Sequence, residues 1–277
     1  MRRRCGWIVF FGALALMFPG GFAGFPGGPP AEKAGAARLI VASDTLLSGM
    51  IASLLPQQRY VVEAVLPPGQ CPGHYDIKLT DIEKMKRAAL VVSFRGMPFM
   101  DKDGSGGRGR LTVDTAGRNW MAPDAYRHGL DLLAERLSEC FPVDRAKILS
   151  RRNEALRALE AGADSLMERI RRAGLPGKAV LASSMQKEPL EWMGLRVVGD
   201  YGRPEALSAR DIVRLVKIGR EWKAVAVVDN LQSGPDAGKG VAETLGIPHV
   251  VWSNFPSEKG YLATLGENMD ALAAVRK

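Results

Sequence analysis

The chain has 277 residues, long enough for two modest cores, and a formal charge of +8 from 38 Lys and Arg against 30 Asp and Glu. Its arginines recur at helical spacing with acids between them, as in the stretch from Arg145 to Arg172, and its few aromatics are not interleaved with the basic residues. That is the pattern of solvated helix faces and excludes a nucleic-acid surface, while the three cysteines are too few and too scattered for a disulfide framework.

Met1-Arg2-Arg3-Arg4 precedes an apolar run from Gly6 to Phe18, then a Gly/Pro-rich stretch to Pro30. This is the layout of a secretory signal, with cleavage expected near Ala23. The run is shorter than the ~20 residues of a spanning helix, so an uncleaved anchor is the lesser alternative. Residues 1–30 are therefore read as signal peptide and linker, and the mature protein as exported, periplasmic or otherwise extracytoplasmic. Processing would remove Cys5, leaving Cys71 and Cys140 either to pair or to stay as free thiols.

From Arg38 onward, short β-branched runs alternate with helical patterns. Leu39 to Ala42, Tyr60 to Leu66, Leu90 to Ser93 and Leu111 to Asp114 read as strands of a first lobe, residues 38–141. A helix is expected to open at Thr80, with Glu83 at capping-box spacing. The Gly-rich segment 101–109 leads into a strand rather than a helix, which is the wrong context for a phosphate cradle. Pro123 to Cys140 reads as a helix stopped by Pro142. A longer one follows, from about Val143 to Ala173, with Leu149, Leu156, Leu159, Ala163, Leu166 and Ile170 as one apolar stripe. At 1.5 Å per residue such a helix of ~30 residues is ~45 Å long, enough to join two lobes rigidly. It forms a connector, residues 142–174.

Strands at Ala179 to Ala182, Arg196 to Val198, Ala224 to Val228 and His249 to Trp252 then alternate with helices at Ala209 to Glu221, Ala237 to Leu245 and Tyr261 to Val275. They make a second lobe, residues 175–277. The fold class is α/β: two lobes with parallel sheets, joined by one long helix, with a cleft between the lobes.

Two loops carry candidate chemistry. Pro67 to Asp76 places Cys71 and His74 three apart between a strand and a helix, a spacing that suits a soft or borderline metal ion. The competing reading is a half-buried thiol and a loop-ordering imidazole. Asp229 follows the strongest strand of the second lobe and is read either as a ligand, as an acceptor for an imidazole N–H, or as a cap of the next helix. Gly238-Lys239-Gly240 fails as a phosphate loop because Ser233 stands where the first glycine is required.

With His74-Tyr75-Asp76 followed by Thr80-Asp81, Trp120-Met121-Ala122-Pro123 opening a helix, a long helix beginning near Pro142, and Tyr261-Leu262 with Asn268-Met269 at the end, the chain from Arg38 resembles the substrate-binding proteins of zinc and manganese ABC transporters. The resemblance implies a metal held between the lobes by histidines and a carboxylate, and an ABC permease as partner. Of that ligand set only His74 is plainly present. The second histidine position falls on Arg118 or Asn119, the third ligand position in Ser183 to Gln186, and the carboxylate position near Ser253-Asn254. His128 and His249 match no ligand position and are read as surface or structural groups. Cys71, His74, Met121 and Met185 fall at or beside expected cleft positions, and thiolate, thioether and imidazole together favour copper, including Cu(I). The competing role of Met121 and Met185 is as gap-fillers in a cleft wall.

The reading that follows is an exported, monomeric, non-enzymatic binding protein. It would capture a transition-metal ion, with zinc first and manganese or copper as alternatives, and deliver it to an ABC permease. Its candidate site residues are His74, Cys71, Met121, Met185, Asp229 and Asn254. One alternative is a binding protein for an organic metal chelate, a corrinoid or siderophore, with Trp120, Trp192 and Tyr201 as stacking walls and Arg118 pairing with an anionic group. A transferase-like α/β enzyme is the other alternative; it lacks a phosphate loop, and Ser183 and Ser184 do not sit in a nucleophile elbow.

Overall fold

The computed structural model describes residues 37–100 and 109–274. The signal segment, nearly all of the Gly-rich segment 101–109 and the last residues, Val275 included, lie outside the described residues.

In the first lobe, β1 (Arg38–Ala42), β2 (Tyr60–Ala64), β3 (Leu90–Phe94) and β4 (Arg110–Val113) form a parallel sheet in the order β2-β1-β3-β4. In the second, β5 (Ala179–Ser183), β6 (Arg196–Tyr201), β7 (Val227–Asn230) and β8 (His249–Trp252) repeat that order as β6-β5-β7-β8. The central strands β1, β3, β5 and β7 are mostly apolar and buried, as a sheet covered on both faces requires. In each lobe the strand order reverses beside the first strand, so each sheet has a switch point where the following loops diverge.

The strand and helix expectations hold, with shifts at the ends. Backbone pairing of β2 with the end of β1 runs on through Val65 and Leu66, as the sequence pattern suggests. β7 lies further along the chain than expected, because Asp229 and Asn230 are buried by the polar partners described below. The helix α2 (Leu79–Arg87) opens one residue early. The Thr80–Glu83 capping box does not form; instead Asp81 accepts from the Lys78 N–H at 3.1 Å and from the Tyr75 hydroxyl at 2.8 Å. α1 (Thr45–Leu54) and the one-and-a-half-turn α5 (Lys187–Trp192) were not read from the sequence.

The connector α4 (Arg145–Arg172) is 28 residues long, ~42 Å at helical rise. It starts after Val143, because Pro142–Asp144 forms a 3₁₀ turn that leaves Val143 84% exposed. Asp144 is buried and held by the Tyr60 hydroxyl at 2.6 Å and Arg59 at 2.7 Å. Ile148, Leu159, Leu166 and Ile170 form its buried face, and Leu156 is partly covered beside them. That face packs on α1 and on α3 (Pro123–Cys140) of the first lobe and on α8 (Tyr261–Ala274) of the second. At Gly162 the approach to α8 is so close that a Cβ would lie 2.4 Å from Leu262, so any larger residue would force Leu262 to move. One continuous apolar core therefore runs through both lobes and the connector. A smaller cluster sits under α6 (Ala209–Glu221) and α7 (Lys239–Leu245).

Replacing Asp144 with alanine strands the buried Tyr60 hydroxyl, while Arg59, at 38% side-chain exposure, can recover water. The expected loss is roughly 1–3 kcal/mol, read as a lower urea midpoint at unchanged slope. Burial, then the Asp144 hydrogen bond, push the Tyr60 hydroxyl up to about 12. A folded-state value above the unfolded one means that this contribution is complete below about pH 10 and is lost as pH rises towards 12. Denaturant midpoints measured from about pH 9 to 12 should fall, and Tyr60→Phe should make that fall shallower.

Candidate inter-lobe binding cleft

A cleft of about 680 Å³ opens between the lobes. Its wall comes from residues just beyond the C-terminal ends of strands: Phe94 and Arg95 at β3, Thr115 to Trp120 after β4, Ser184 to Glu188 after β5, and Asn254 and Phe255 after β8. This is where a doubly wound sheet leaves room for a ligand.

Each wall segment is fixed locally. After β4 the Asp114 carboxylate accepts from the Ala116 N–H at 2.8 Å, and Ala116 and Gly117 turn through positive φ. That backbone bond, helped by the charge of Arg95, holds the Asp114 carboxyl below its usual range. The turn delivers Arg118 and Asn119 to the cleft, and Pro123 then starts α3 at a position where no N–H is needed. After β5, buried Gln186 donates to Asn230 Oδ1 at 3.0 Å and to the Trp252 carbonyl at 3.1 Å, pinning the turn to the ends of β7 and β8. After β8, Asn268 brackets Ser253 through its N–H and carbonyl, and Gln232 Oε1 takes the Asn254 N–H at 2.9 Å.

These segments meet at Asn119. Its Nδ2 donates to the Met185 carbonyl at 2.6 Å and to Asn254 Oδ1 at 2.9 Å, both on the second lobe, while its Oδ1 accepts from the Met121 N–H. Glu188 reaches back from the second lobe: one oxygen accepts from Arg118 Nε and the other from the Asn119 N–H at 2.6 Å. Glu188, then Asp124, hold the Arg118 proton more tightly than usual. Behind this seam Tyr261 stacks on Tyr126 at 3.9 Å and donates to the Met121 carbonyl at 2.9 Å.

The six candidate residues do not converge. Met185 (44% exposed) and Asn254 are in the cleft wall. Met121 follows the wall residue Trp120 but is 1% exposed, its side chain in the core, because its own backbone is clamped on both sides. Asp229 is fully buried and away from the cleft: Tyr201 donates to it at 2.7 Å, the Gly238 N–H ahead of α7 at 2.8 Å, and His249 Nε2 lies at 2.7 Å. It serves the imidazole and the helix start, two of the roles the sequence left open. Burial, then the Asp229 charge, push the Tyr201 hydroxyl far up. His74 ends the Pro72–His74 turn and Cys71 immediately precedes it; the turn leans on the second lobe at Arg203, whose Nη1 is 3.9 Å from Cys71 Sγ. His74 is exposed, and both Cys71 and Cys140 are free thiols.

Among the described residues no three His, Cys, Asp or Glu side chains are grouped so as to hold a metal ion. Of the aromatic residues considered as stacking walls, Trp120 lines the cleft, whereas Tyr201 is tied to Asp229 and Trp192 packs against the core. Sequence reasoning missed Lys187 and Glu188. Their position one turn beyond β5, at the C-terminal end of a parallel strand, was the available signal.

Asn119→Ala removes both amide bonds across the seam and the anchor of Met121. The Met121 amide should exchange with solvent about tenfold faster while β1 and β5 amides keep their rates, as expected for a local opening made ~1.4 kcal/mol easier.

Residues 40–275 match the model of the family described as zinc-uptake complex component A, periplasmic. No curated protein matches the chain. Among solved structures, ZnuA superposes with a TM-score of 0.71 at 15% identity, covering 87% of this chain and all of that one. A Mn-bound periplasmic metal-binding protein from Candidatus Liberibacter asiaticus gives 0.72 at 13% identity over 86% and 98% of the two chains. The periplasmic zinc-binding protein TroA from Treponema pallidum gives 0.68 at 15% over 87% and 99%. At such identities the likeness is one of fold, whereas the family match spans nearly every described residue. The chain belongs to the family of periplasmic zinc-uptake complex A components.

Proposed function

We propose that this protein is the extracytoplasmic solute-binding component of a transition-metal uptake system, taking its cargo in the inter-lobe cleft and passing it to an ABC permease. The observation that carries this reading is the convergence of three loops, those bearing Asn119, Met185 and Asn254, on one cleft at the strand ends of two lobes. Zinc is the first candidate, as the zinc-uptake family suggests, with manganese next; the structural relatives include a zinc-binding and a Mn-bound protein. Copper follows from the thioether of Met185 in the cleft wall, with the thiol and imidazole of Cys71 and His74 on a separate loop as further soft donors.

α4, packed against both lobes, resists wide hinge opening, so cargo exchange would proceed by small movements across the Asn119 seam. The monomer acts alone in capture, and the permease supplies the transport step.

Elemental analysis of the protein exported by cells is the test. A stoichiometric transition metal is expected, reduced in Met185→Ala and Asn254→Ala, with Cys71→Ser and His74→Ala reporting what the loop contributes. Absence of any transition metal from the wild type, together with no thermal shift on adding zinc, manganese or copper as free ions or as complexes, would overturn the reading.

A further inference from the structure

We infer that the cleft takes its metal already wrapped in an organic acid, as an anionic carboxylate chelate, an inference that rests on the metal-uptake reading above. A bare dication needs several anionic or imidazole donors converging at roughly 2.0–2.6 Å. No such group exists among the described residues.

The charge of the wall points the same way. Arg95, Arg118 and Lys187 line the cleft with Glu188 and Glu191, and since Arg95 is paired with Asp114 at 2.9 Å and Arg118 with Asp124 at 2.7 Å, the wall offers paired charges in place of the free carboxylates a bare dication requires. Glu188 has both oxygens engaged by Arg118 and Asn119, and Asn119 has its own amide committed across the seam. Using either one as a metal ligand would break the contacts that hold the wall together.

What the wall retains is capacity to donate. Lys187, its side chain 44% exposed, reaches Asp200 only at 3.4 Å and keeps N–H groups for a ligand. Donors of this kind recognise oxygen acceptors, which a metal ion lacks and a metal-bound carboxylate supplies in number. The cleft, about 680 Å³, is of a size for a small organic ligand. Phe94, Met97 and Phe255 give the carbon skeleton of such a ligand an apolar surface. The metal is then neutralised by its own chelator, and the protein reads the chelator's outer oxygens.

Calorimetry on the purified chain, stripped of bound metal, tests this with zinc chloride, zinc citrate, metal-free citrate and the neutral zinc bis-histidine complex, followed by the manganese and copper counterparts. Zinc citrate is expected to bind at least about a hundredfold more tightly than either zinc chloride or citrate alone. Lys187→Ala, at a side chain 44% exposed, should weaken zinc citrate about tenfold, as loss of a charge-assisted hydrogen bond does. Asn254→Asp, which adds a carboxylate to the wall, should shift preference towards zinc chloride. Tighter binding of zinc chloride by the wild type would overturn the inference and leave the metal-uptake reading standing. Citrate binding equally well without metal, or preference for the bis-histidine complex, would overturn the anionic chelate. If no form of any of the three metals binds, the uptake reading falls and the inference falls with it.

Discussion

The side-chain amide of Asn119 is the point on which the cleft depends. One residue from the first lobe donates twice to the second, at Met185 and Asn254, and its own N–H meets Glu188. Those contacts close the seam with neutral groups and one engaged carboxylate. Because that amide gives both hydrogens across the seam and holds the Met121 N–H with its oxygen, turning it towards a cation would break the contacts that join the lobes, so the arrangement that joins them bears on what the cleft can hold.

The rest of the architecture makes such a seam possible. α4 fixes the separation of the lobes by packing one apolar face against α1, α3 and α8, so residues far apart in sequence meet at hydrogen-bond distance. Asp144 at its start and the Gly162–Leu262 approach along its length are the local conditions for that packing. Charge pairs such as Arg169–Asp270, at 2.5 Å and largely exposed, trim the α4–α8 face but add little to stability compared with the buried contacts.

The second lobe contains a second polar centre with a different purpose. Asp229, with Tyr201, His249 and the Gly238 N–H around it, is a carboxylate fully withdrawn from water and satisfied by those partners. It ties β6, β7, β8 and the start of α7 together from inside. A buried acid of this kind is a structural device when every oxygen is engaged, and no side of it faces the cleft.

Much of the fold was legible in the chain because its signals are local. β-branched runs, the α4 stripe, Pro123 and Pro142 give element type and order through backbone and burial preferences that act over a few residues. The candidate loops were legible by the same route, as short motifs at strand ends. Convergence of the site residues was not. Met121 and Asp229 sit in promising loops, yet one is drawn into the core by clamped backbone and the other is enclosed by side chains from separate strands. Glu188, in a short helix without a periodic signature, gains its role only from the lobe opposite. Sequence determined the two lobes, the connector and the poverty of metal ligands, because those follow from residue type and spacing. Tertiary structure decided which polar groups face the cleft and which are already engaged, because hydrogen bonds between distant residues exist only once the lobes are packed.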